Sequence, residues 1–257
     1  MPEIIVEAIR IPYRVEGSGP ALVLVHGTGP GSGMWDPLLP VLAERYTVVL
    51  PDLSGSDVVD DVGELSVELL AGQVIAVIED AGVGQAHVLG FSLGAPVALA
   101  VAATRPDLVG KVIAVAGWGH SEGDEYLRLM MTTWQDLAER APTGFGRFAT
   151  LTAFSRGHLN AIGRDAVEEN TKYLRPTAST LRQIELNLAI DIRHLLPTIT
   201  APALIVGCAL DATVPCGNSR ELHAAIPGSG YAELEAGHVV MMERPAEFTT
   251  LVTEFLS

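Results

Sequence analysis

A Gly-x-Ser-x-Gly segment, residues 90–94, is the feature of this sequence with the clearest chemical meaning. It follows a short apolar run and opens a helical pattern that ends near Arg105, so it falls at a predicted strand-to-helix junction. In this setting the serine takes a strained backbone conformation, and the flanking glycines give the clearance that strand and helix need. Pro96 falls in the first helical turn, where its missing N–H leaves no intrahelical bond unmade. We therefore predict that Ser92 is a nucleophile at a helix N-terminus.

The serine needs a base, because a hydroxyl is a poor nucleophile at neutral pH, and the sequence holds seven histidines that could serve. His238 lies in a loop just before the last predicted helix, residues 245–256. A loop at the carboxyl edge of a parallel sheet can reach a nucleophile at that edge. His26 directly follows the first apolar run and is interpreted as a structural hydrogen-bonding residue beneath a glycine-rich loop. We therefore predict that His238 is the base.

An acid is needed to fix the tautomer of the base and to stabilise the imidazolium ion. Asp211 follows the apolar run 203–206 after a short Gly-Cys-Ala-Leu segment, which places a carboxylate at the same predicted sheet edge. The chain order Ser92, Asp211, His238 is the order found in hydrolases built on this strand-to-helix turn. The joint occurrence of the three residues in this order predicts a catalytic triad.

The negative charge of a tetrahedral intermediate requires hydrogen-bond donors, and two backbone N–H groups are predicted to supply them. One is the N–H of Leu93, the residue after the nucleophile. The other belongs to the Gly- and Pro-containing turn at residues 26–31. Thr28 is the first candidate donor in that turn, and Gly29 is the second.

The elements that must position these residues are indicated by short apolar runs without alternation, which predict strands buried on both faces of a sheet. They cover 21–25, 46–50, 87–90, 112–115 and 203–206. Helical patterns lie between and after them, at residues 35–44, 66–81, 93–105, 219–225 and 245–256. This alternation indicates right-handed βαβ crossovers and a doubly wound α/β sheet. Partial alternation over residues 4–11 predicts an antiparallel edge strand.

Residues 119–197 interrupt the alternation of strands and helices. They contain no convincing strand but several amphipathic helical stretches, separated by segments with proline or glycine. An all-helical insertion in an α/β sheet is typical of a cap, so we predict a helical cap over 119–197 and a core formed by 1–118 and 198–257. Apolar side chains of this segment are expected to form much of a pocket roof. We expect substrate contacts from Met130, Trp134, Phe148 and, beside the base, Val239, with Met131, Phe145 and Phe154 as further candidates.

The composition excludes several classes of protein. Of 257 residues, 48% are apolar and 18% are charged, which excludes a disordered chain and fits a core with an inserted subdomain. The net charge of −15 makes nucleic acids and anionic membranes unfavourable partners. No apolar run approaches the ~20 residues that a membrane-spanning helix requires. The acidic segment 57–64 is interpreted as a solvated loop.

The cysteines and the N-terminal residues complete these expectations. Cys208 and Cys216 give neither a disulfide framework nor metal-ligand spacing with a histidine pair, so no metal site is expected. Residues 1–3 show no basic segment leading into an apolar stretch, so we expect no secretory signal and a cytoplasmic protein. The sequence leaves open whether the chain forms a homo-oligomer.

The segments 26–29 and 90–94, together with Asp211 and the pair Gly237-His238, resemble the motifs of the α/β-hydrolase superfamily. Arg105-Pro106 and the segment 243–245 are also similar to it, and the resemblance covers essentially the whole chain. It implies a mostly parallel eight-stranded sheet flanked by helices, with an inserted helical cap. It also implies a small-molecule substrate and no required cofactor.

Two groups within the superfamily offer different functions. The loop 26–31, followed by Trp35, resembles meta-cleavage-product C–C hydrolases, which usually carry Asn and Trp where this chain has Phe91 and Val239. The chain length, the compact cap and the junction 195–202 are closer to enol-lactone hydrolases and small carboxylesterases. We therefore expect a serine hydrolase that cleaves a small, largely apolar ester, lactone or thioester through an acyl-enzyme on Ser92. The alternatives are C–C hydrolysis of a dienol, and a non-hydrolytic lyase or binding protein on the same fold.

Overall fold

The computed structural model describes residues 1–59 and 63–257, so part of the predicted acidic loop 57–64 lies outside the described residues. The strands are β1 (Glu3–Val6), β2 (Ile9–Gly17), β3 (Ala21–Val25), β4 (Thr47–Pro51), β5 (Ala86–Phe91), β6 (Val109–Val115), β7 (Ala203–Cys208) and β8 (Gly230–Leu234). The helices are α1 (Leu39–Ala43), α2 (Val67–Asp80), α3 (Gly94–Thr104), α4 (Glu125–Arg140), α5 (Pro142–Ala153), α6 (Arg156–Tyr173), α7 (Ala178–Ala189), α8 (Cys216–Ala225), α9 (Val240–Glu243) and α10 (Pro245–Leu256).

The strands form one eight-stranded sheet in the order β1-β2-β4-β3-β5-β6-β7-β8. All neighbouring pairs from β4 to β8 in this order are parallel. At the other edge, β2 pairs antiparallel with β4, and β1 pairs antiparallel with β2. Successive residues of β3 join different apolar clusters, because side chains alternate between the faces of a sheet. Val23 and Val25 join the cluster that includes α2, α3 and α8, and Leu22 and Leu24 join the one that includes α1 and α10. The predicted mostly parallel sheet flanked by helices is confirmed.

The predicted edge strand over residues 4–11 proves to be a hairpin. Val6 pairs with Ile9, and the two residues between them, Glu7 and Ala8, both have positive φ angles of 49° and 68°. Positive φ at both central positions is typical of the two-residue turn that suits the twist of a hairpin. The expected single strand is therefore two antiparallel strands, β1 and β2.

Two further elements differ from the sequence-based expectation. The helical pattern over 35–44 yields only the five-residue helix α1, preceded by a 3-10 turn over Gly31–Trp35. Pro37 and Pro40 interrupt that pattern, and a proline inside a helix removes a backbone hydrogen bond. Strand β8 was not predicted, because its residues are exposed or half-buried and do not form an apolar run.

Helices α4 to α7 lie between β6 and β7 in the chain, and we call residues 119–197 the helical insertion. Its two ends are joined to each other by hydrogen bonds. The N–H of Ile192 donates to the carbonyl of Gly119 at 2.8 Å, and the N–H of Ser121 donates to that of Ile190 at 3.1 Å. Within residues 1–59 and 63–257, the chain forms no helix with the length and hydropathy that crossing a membrane would require.

Candidate active site

Ser92 occupies a sharp turn between the end of β5 and the start of α3. Its φ angle is +54°, a strained value for a residue with a side chain. A Cβ atom on Gly90 would overlap the carbonyl oxygen of Gly94, and a Cβ on Gly94 would lie 2.6 Å from the carbonyl oxygen of His26. The two glycines are therefore required by the close approach of strand, helix and neighbouring loop. The turn directs Ser92 to the carboxyl edge of the sheet.

The three side chains predicted as a triad lie in one hydrogen-bonded line. His238 Nε2 is 2.9 Å from Ser92 Oγ, and His238 Nδ1 is 2.7 Å from Asp211 Oδ2. An ionised carboxylate only accepts hydrogen bonds, so the Nδ1–H donates to Asp211 and Nε2 is left to accept from the serine hydroxyl. Residues far apart in the chain meet because they follow β5, β7 and β8, whose carboxyl ends share one edge of the sheet.

The carboxylate of Asp211 is held by the backbone of its own loop. Oδ1 accepts hydrogen bonds from the N–H groups of Thr213 and Val214, both at 2.8 Å. The carboxylate is fully buried beside the imidazole. One oxygen is thus fixed by two backbone donors, and the other oxygen faces His238.

His238 is also positioned by contacts outside this line. The ring of Phe91 packs against the imidazole with centroids 4.8 Å apart. The next residue, Val239, donates its N–H to the carbonyl of Ala153 at the end of α5, at 3.2 Å. The loop that carries His238 therefore contacts both the residue before Ser92 and the helical insertion.

His26 lies beneath the loop at residues 27–31, in the position predicted for it. Its Nε2 accepts from the N–H of Leu53 at 3.0 Å, so Nδ1 carries the proton and donates to the carbonyl of Gly27 at 2.7 Å. Burial lowers the pKa of His26, because the charged imidazolium would lose its hydration. The neutral ring thus ties two loops together below the site.

The loop at residues 27–31 passes directly against the nucleophile, since a Cβ on Gly27 would stand 3.1 Å from the Cβ of Ser92. The N–H of Gly27 contacts Met34 Sδ at 3.4 Å, and the N–H of Gly29 donates to Gln183 Oε1 at 2.8 Å. These two N–H groups are therefore engaged within the protein, and the N–H of Thr28, the donor predicted from the sequence, lies between them. Leu93 is the N-cap of α3, and the first N–H groups of a helix have no intrahelical acceptor.

A cavity of about 340 Å³ opens onto Ser92 and His238. Its walls come from the loop at 27–31, from the region around His238 and from the helical insertion, and they are mostly apolar. Besides Ser92 and His238, the lining residues include Met34, Phe91, Trp134, Phe145, Ala149, Phe154, Val239 and Met242. This volume is near the lower end of the range of volumes of ligand-binding pockets, which indicates a small ligand.

Two of the four residues expected to contact substrate, Trp134 and Val239, line this cavity, and Met130 and Phe148 do not. On α5 the cavity is lined by Phe145, Ala149 and Ala153, which share one helix face, and Phe148 lies about 100° away from the centre of that face. Met130 is buried one turn before Trp134, about 6 Å along the axis of α4.

The sequence analysis missed several of the residues that line the cavity, polar ones such as Asn170 and Tyr173 among them. Met34 and Met242 line the cavity, but each lies in a segment without a motif. On α5, the spacing of Phe145, Ala149 and Ala153 was a usable signal, because positions i, i+4 and i+8 lie on one face of a helix. Among the residues that the structure describes, no cluster of three or more His, Cys, Asp or Glu is arranged to hold a metal ion.

Comparisons with known proteins agree with this geometry. The profile of the Alpha/beta hydrolase family matches residues 22–251. The chain is 36% identical over 255 residues to a pyrrolizixenacetamide deacetylase from Xenorhabdus hominickii, covering 96% of this chain and 94% of that protein. It is 30% identical over 258 residues to a pimeloyl-(acyl-carrier protein) methyl ester esterase from Aeromonas hydrophila subsp. hydrophila, covering 93% and 96%.

The fold is also found in solved structures. The crystal structure of the enol-lactonase from Burkholderia xenovorans LB400 matches with a TM-score of 0.86 over 99% of both chains, at 23% sequence identity. The chain therefore belongs to the alpha/beta hydrolase family, as its motifs predicted. It is a hydrolase with the α/β-hydrolase fold.

Proposed function

We propose that this hydrolase cleaves a small, largely apolar carboxylic ester, lactone or thioester through an acyl-enzyme on Ser92. The observation that carries the proposal is the hydrogen-bonded line from Ser92 Oγ through His238 to Asp211, with distances of 2.9 and 2.7 Å. These lengths are within the range for proton transfer from a nucleophile to a general base. The relatives named as a deacetylase and a methyl ester esterase support acyl transfer as the chemistry.

In the proposed mechanism, Ser92 Oγ forms a bond to the substrate carbonyl carbon as its proton passes to His238 Nε2. The carbonyl π electrons move to the oxygen, and the N–H groups of Thr28 and Leu93 stabilise that oxyanion. Collapse of the intermediate breaks the bond to the leaving group, which takes the proton from His238. Water then attacks the acyl-enzyme with His238 as base, which releases the acid and restores Ser92. Asp211 keeps the imidazole oriented throughout.

The substrate size and polarity are inferred from the cavity. A space of about 340 Å³ lined by side chains such as Phe91, Trp134 and Phe145 favours a short or compact apolar acyl group. We propose that the helical insertion acts as the cap, because α4, α5 and the end of α6 contribute to the lining. Phe91 and Val239 offer no polar group beside His238, which favours ester cleavage over the C–C hydrolysis of a dienol.

The test is a panel of substrates given to the purified chain and to a Ser92→Ala variant. The panel contains p-nitrophenyl esters from acetate to decanoate, a small lactone, an N-acetylated amine and a ring-fission dienol. We expect turnover of short esters, and a fall in kcat of about 10⁴–10⁶-fold in Ser92→Ala. A fluorophosphonate should add to the wild-type chain at Ser92 and not to the variant.

Ser219→Ala serves as the matched control, because Ser219 is also buried but does not line the cavity. It should retain wild-type kcat. Preferred turnover of the dienol over every ester would replace the proposal with C–C hydrolysis. Undiminished turnover by Ser92→Ala would overturn the acyl-enzyme.

A further inference from the structure

Two amide side chains of α7, in the helical insertion, reach the loop that lies against the nucleophile. Gln183 and Asn187 are 0% and 1% exposed, and a spacing of four residues places them on the same helix face. Gln183 Oε1 accepts from the N–H of Gly29 at 2.8 Å. Asn187 Nδ2 donates to the hydroxyl of Thr28 at 3.0 Å. The loop thus receives two hydrogen bonds from a segment more than 150 residues away in the chain.

The amide of Gln183 is engaged at both ends. While Oε1 accepts from Gly29, Nε2 donates to the carbonyl oxygen of Ser54 at 3.2 Å. An amide with both its acceptor and its donor satisfied has one orientation, and burying it without these partners would be costly. Gln183 therefore links the loop at 27–31, the loop at Ser54 and helix α7 with a fixed geometry.

The loop needs such support because of its own composition. Residues 27–31 include three glycines, and Gly29 and Gly31 have φ angles of +107° and +78°. Glycine adopts many backbone conformations at similar energy, so the sequence of the loop does not hold it in one shape. An oxyanion donor must stand about 2.7–3.1 Å from the charged oxygen to be effective. If the Thr28–Gly29 peptide moves, the adjoining Gly27–Thr28 peptide moves with it and takes the N–H of Thr28 out of that range.

We propose that Gln183 is a positioning residue, which holds the loop at 27–31 so that the N–H of Thr28 points at the oxyanion. This inference rests on the proposed acyl-enzyme function and adds that the helical insertion helps to complete the oxyanion hole. Gln183 does not touch the substrate, and its effect passes through the peptide that joins Thr28 and Gly29. Gln183 therefore stabilises the transition state, in which the oxyanion forms, more than it stabilises the enzyme–substrate complex.

The first test is Gln183→Met, which keeps the apolar stem and removes both hydrogen bonds. We expect kcat on p-nitrophenyl acetate to fall about 10–100-fold, less than the ~10²–10³-fold that accompanies outright loss of a donor. KM should stay within about twofold, because substrate binding itself is unchanged. A trifluoromethyl ketone, which forms a hemiketal oxyanion with Ser92, should lose affinity by the same factor as kcat/KM.

Gln73→Met is the matched control. Gln73 is also 0% exposed and also binds Ser54, with Oε1 accepting from the Ser54 N–H at 3.0 Å and Nε2 donating to its hydroxyl at 2.6 Å. It has no contact with Gly29 in these bonds. We expect a loss of thermal stability similar to that of Gln183→Met, with kcat within about threefold of wild type. Equal losses of kcat in the two variants would overturn the proposal.

A second variant, Gln183→Glu, provides a pH readout and keeps the proposal testable if Gln183→Met does not fold. A protonated Glu side chain can accept from Gly29 and donate to Ser54 as the amide does, whereas an ionised one cannot donate. Burial favours the protonated form. We expect activity within about fivefold of wild type at pH 6, and a ratio of variant to wild-type kcat that falls at least about tenfold by pH 9.

An unchanged kcat in Gln183→Met would overturn the positioning role, as would a fall in the kcat of Gln183→Glu between pH 6 and pH 9 with no matching loss of affinity for the trifluoromethyl ketone. Failure of the proposed function is a separate outcome. It would appear in the Ser92→Ala variant, as turnover that does not depend on the serine, before any Gln183 variant is compared.

Discussion

Replacement of Asp211 by Asn tests the triad most sharply, because the structure determines which way the new amide must face. Oδ1 of Asp211 accepts two backbone N–H groups at 2.8 Å, while Oδ2 faces His238 Nδ1 at 2.7 Å. In Asp211→Asn the amide oxygen must keep the two backbone donors. The reverse orientation would point an NH₂ group at both of them and leave each unsatisfied, at a cost of about 1–3 kcal/mol apiece.

The NH₂ group of the variant therefore faces His238 Nδ1, which must then accept a hydrogen bond. The ring proton moves to Nε2, 2.9 Å from Ser92 Oγ, where the ring can no longer take the serine proton. Loss of the correct tautomer lowers kcat by about 10⁴-fold, equivalent to about 5.5 kcal/mol of transition-state stabilisation. The thermal midpoint should change little, because the backbone hydrogen bonds of the loop are kept.

The measurement is kcat/KM on p-nitrophenyl acetate together with a thermal melt. Asp191→Asn is the control, because Asp191 is a half-exposed carboxylate that binds Arg193 away from the cavity. It should keep wild-type activity. A rate for Asp211→Asn within about tenfold of wild type would refute the assignment of Asp211 as the acid.

Two further predictions concern stability. Gly72 lies in the interior of α2 with open space around a new Cβ, so Gly72→Ala should raise the free energy of unfolding by about 0.5–1 kcal/mol. In Gly94→Ala the new Cβ would overlap neighbouring backbone, so this substitution should lower the free energy of unfolding by about 3 kcal/mol. Urea titrations measure both, and changes of the same sign would contradict the close packing at Ser92. The pKa of His26 is lower in the folded chain than in the unfolded chain, so on acidification the unfolded chain binds a proton at His26 before the folded chain does. The free energy of unfolding should therefore fall as the pH drops below about 6.5, by up to about 1.4 kcal/mol per pH unit from this residue. His26→Gln, which keeps an acceptor for the facing N–H, should flatten that decline between pH 7 and 5, and an unaltered slope would show that His26 does not titrate in this way.

The central fold could be predicted from the sequence because its strands are buried on both faces. Runs such as 21–25 and 203–206 have no polar residue to obscure the pattern, and both are strands in the structure. Strand β8 lies at the edge of the sheet and is half-exposed, so its sequence Gly-Tyr-Ala-Glu-Leu carries no comparable signal. The hairpin turn at Glu7 and Ala8 was missed for a related reason, since neither residue is one that usually favours positive φ.

In the candidate site, too, features that follow from the local sequence could be predicted, and features that depend on contacts with distant residues could not. Ser92, Asp211 and His238 could be placed together because each follows a strand, and parallel strands end at one edge of the sheet. The contact that occupies the N–H of Gly29 could not be predicted, because its acceptor, Gln183, lies 154 residues away in the chain. Met130 and Trp134 are both apolar residues of α4, and sequence periodicity does not distinguish a side chain that lines a cavity from one that packs in the core.

The paired ends of the helical insertion have a consequence for protein engineering. Since Gly119 and Ile192 are hydrogen-bonded to each other, the insertion leaves the sheet and returns to it at a single place. These two positions are natural fusion points for a chimaera in which the whole segment between them is exchanged for that of another hydrolase. Such a graft would preserve the sheet and replace the lining contributed by α4 to α7. A donor segment without an amide at the place of Gln183 would bring a new pocket but leave the Gly29 N–H without its acceptor.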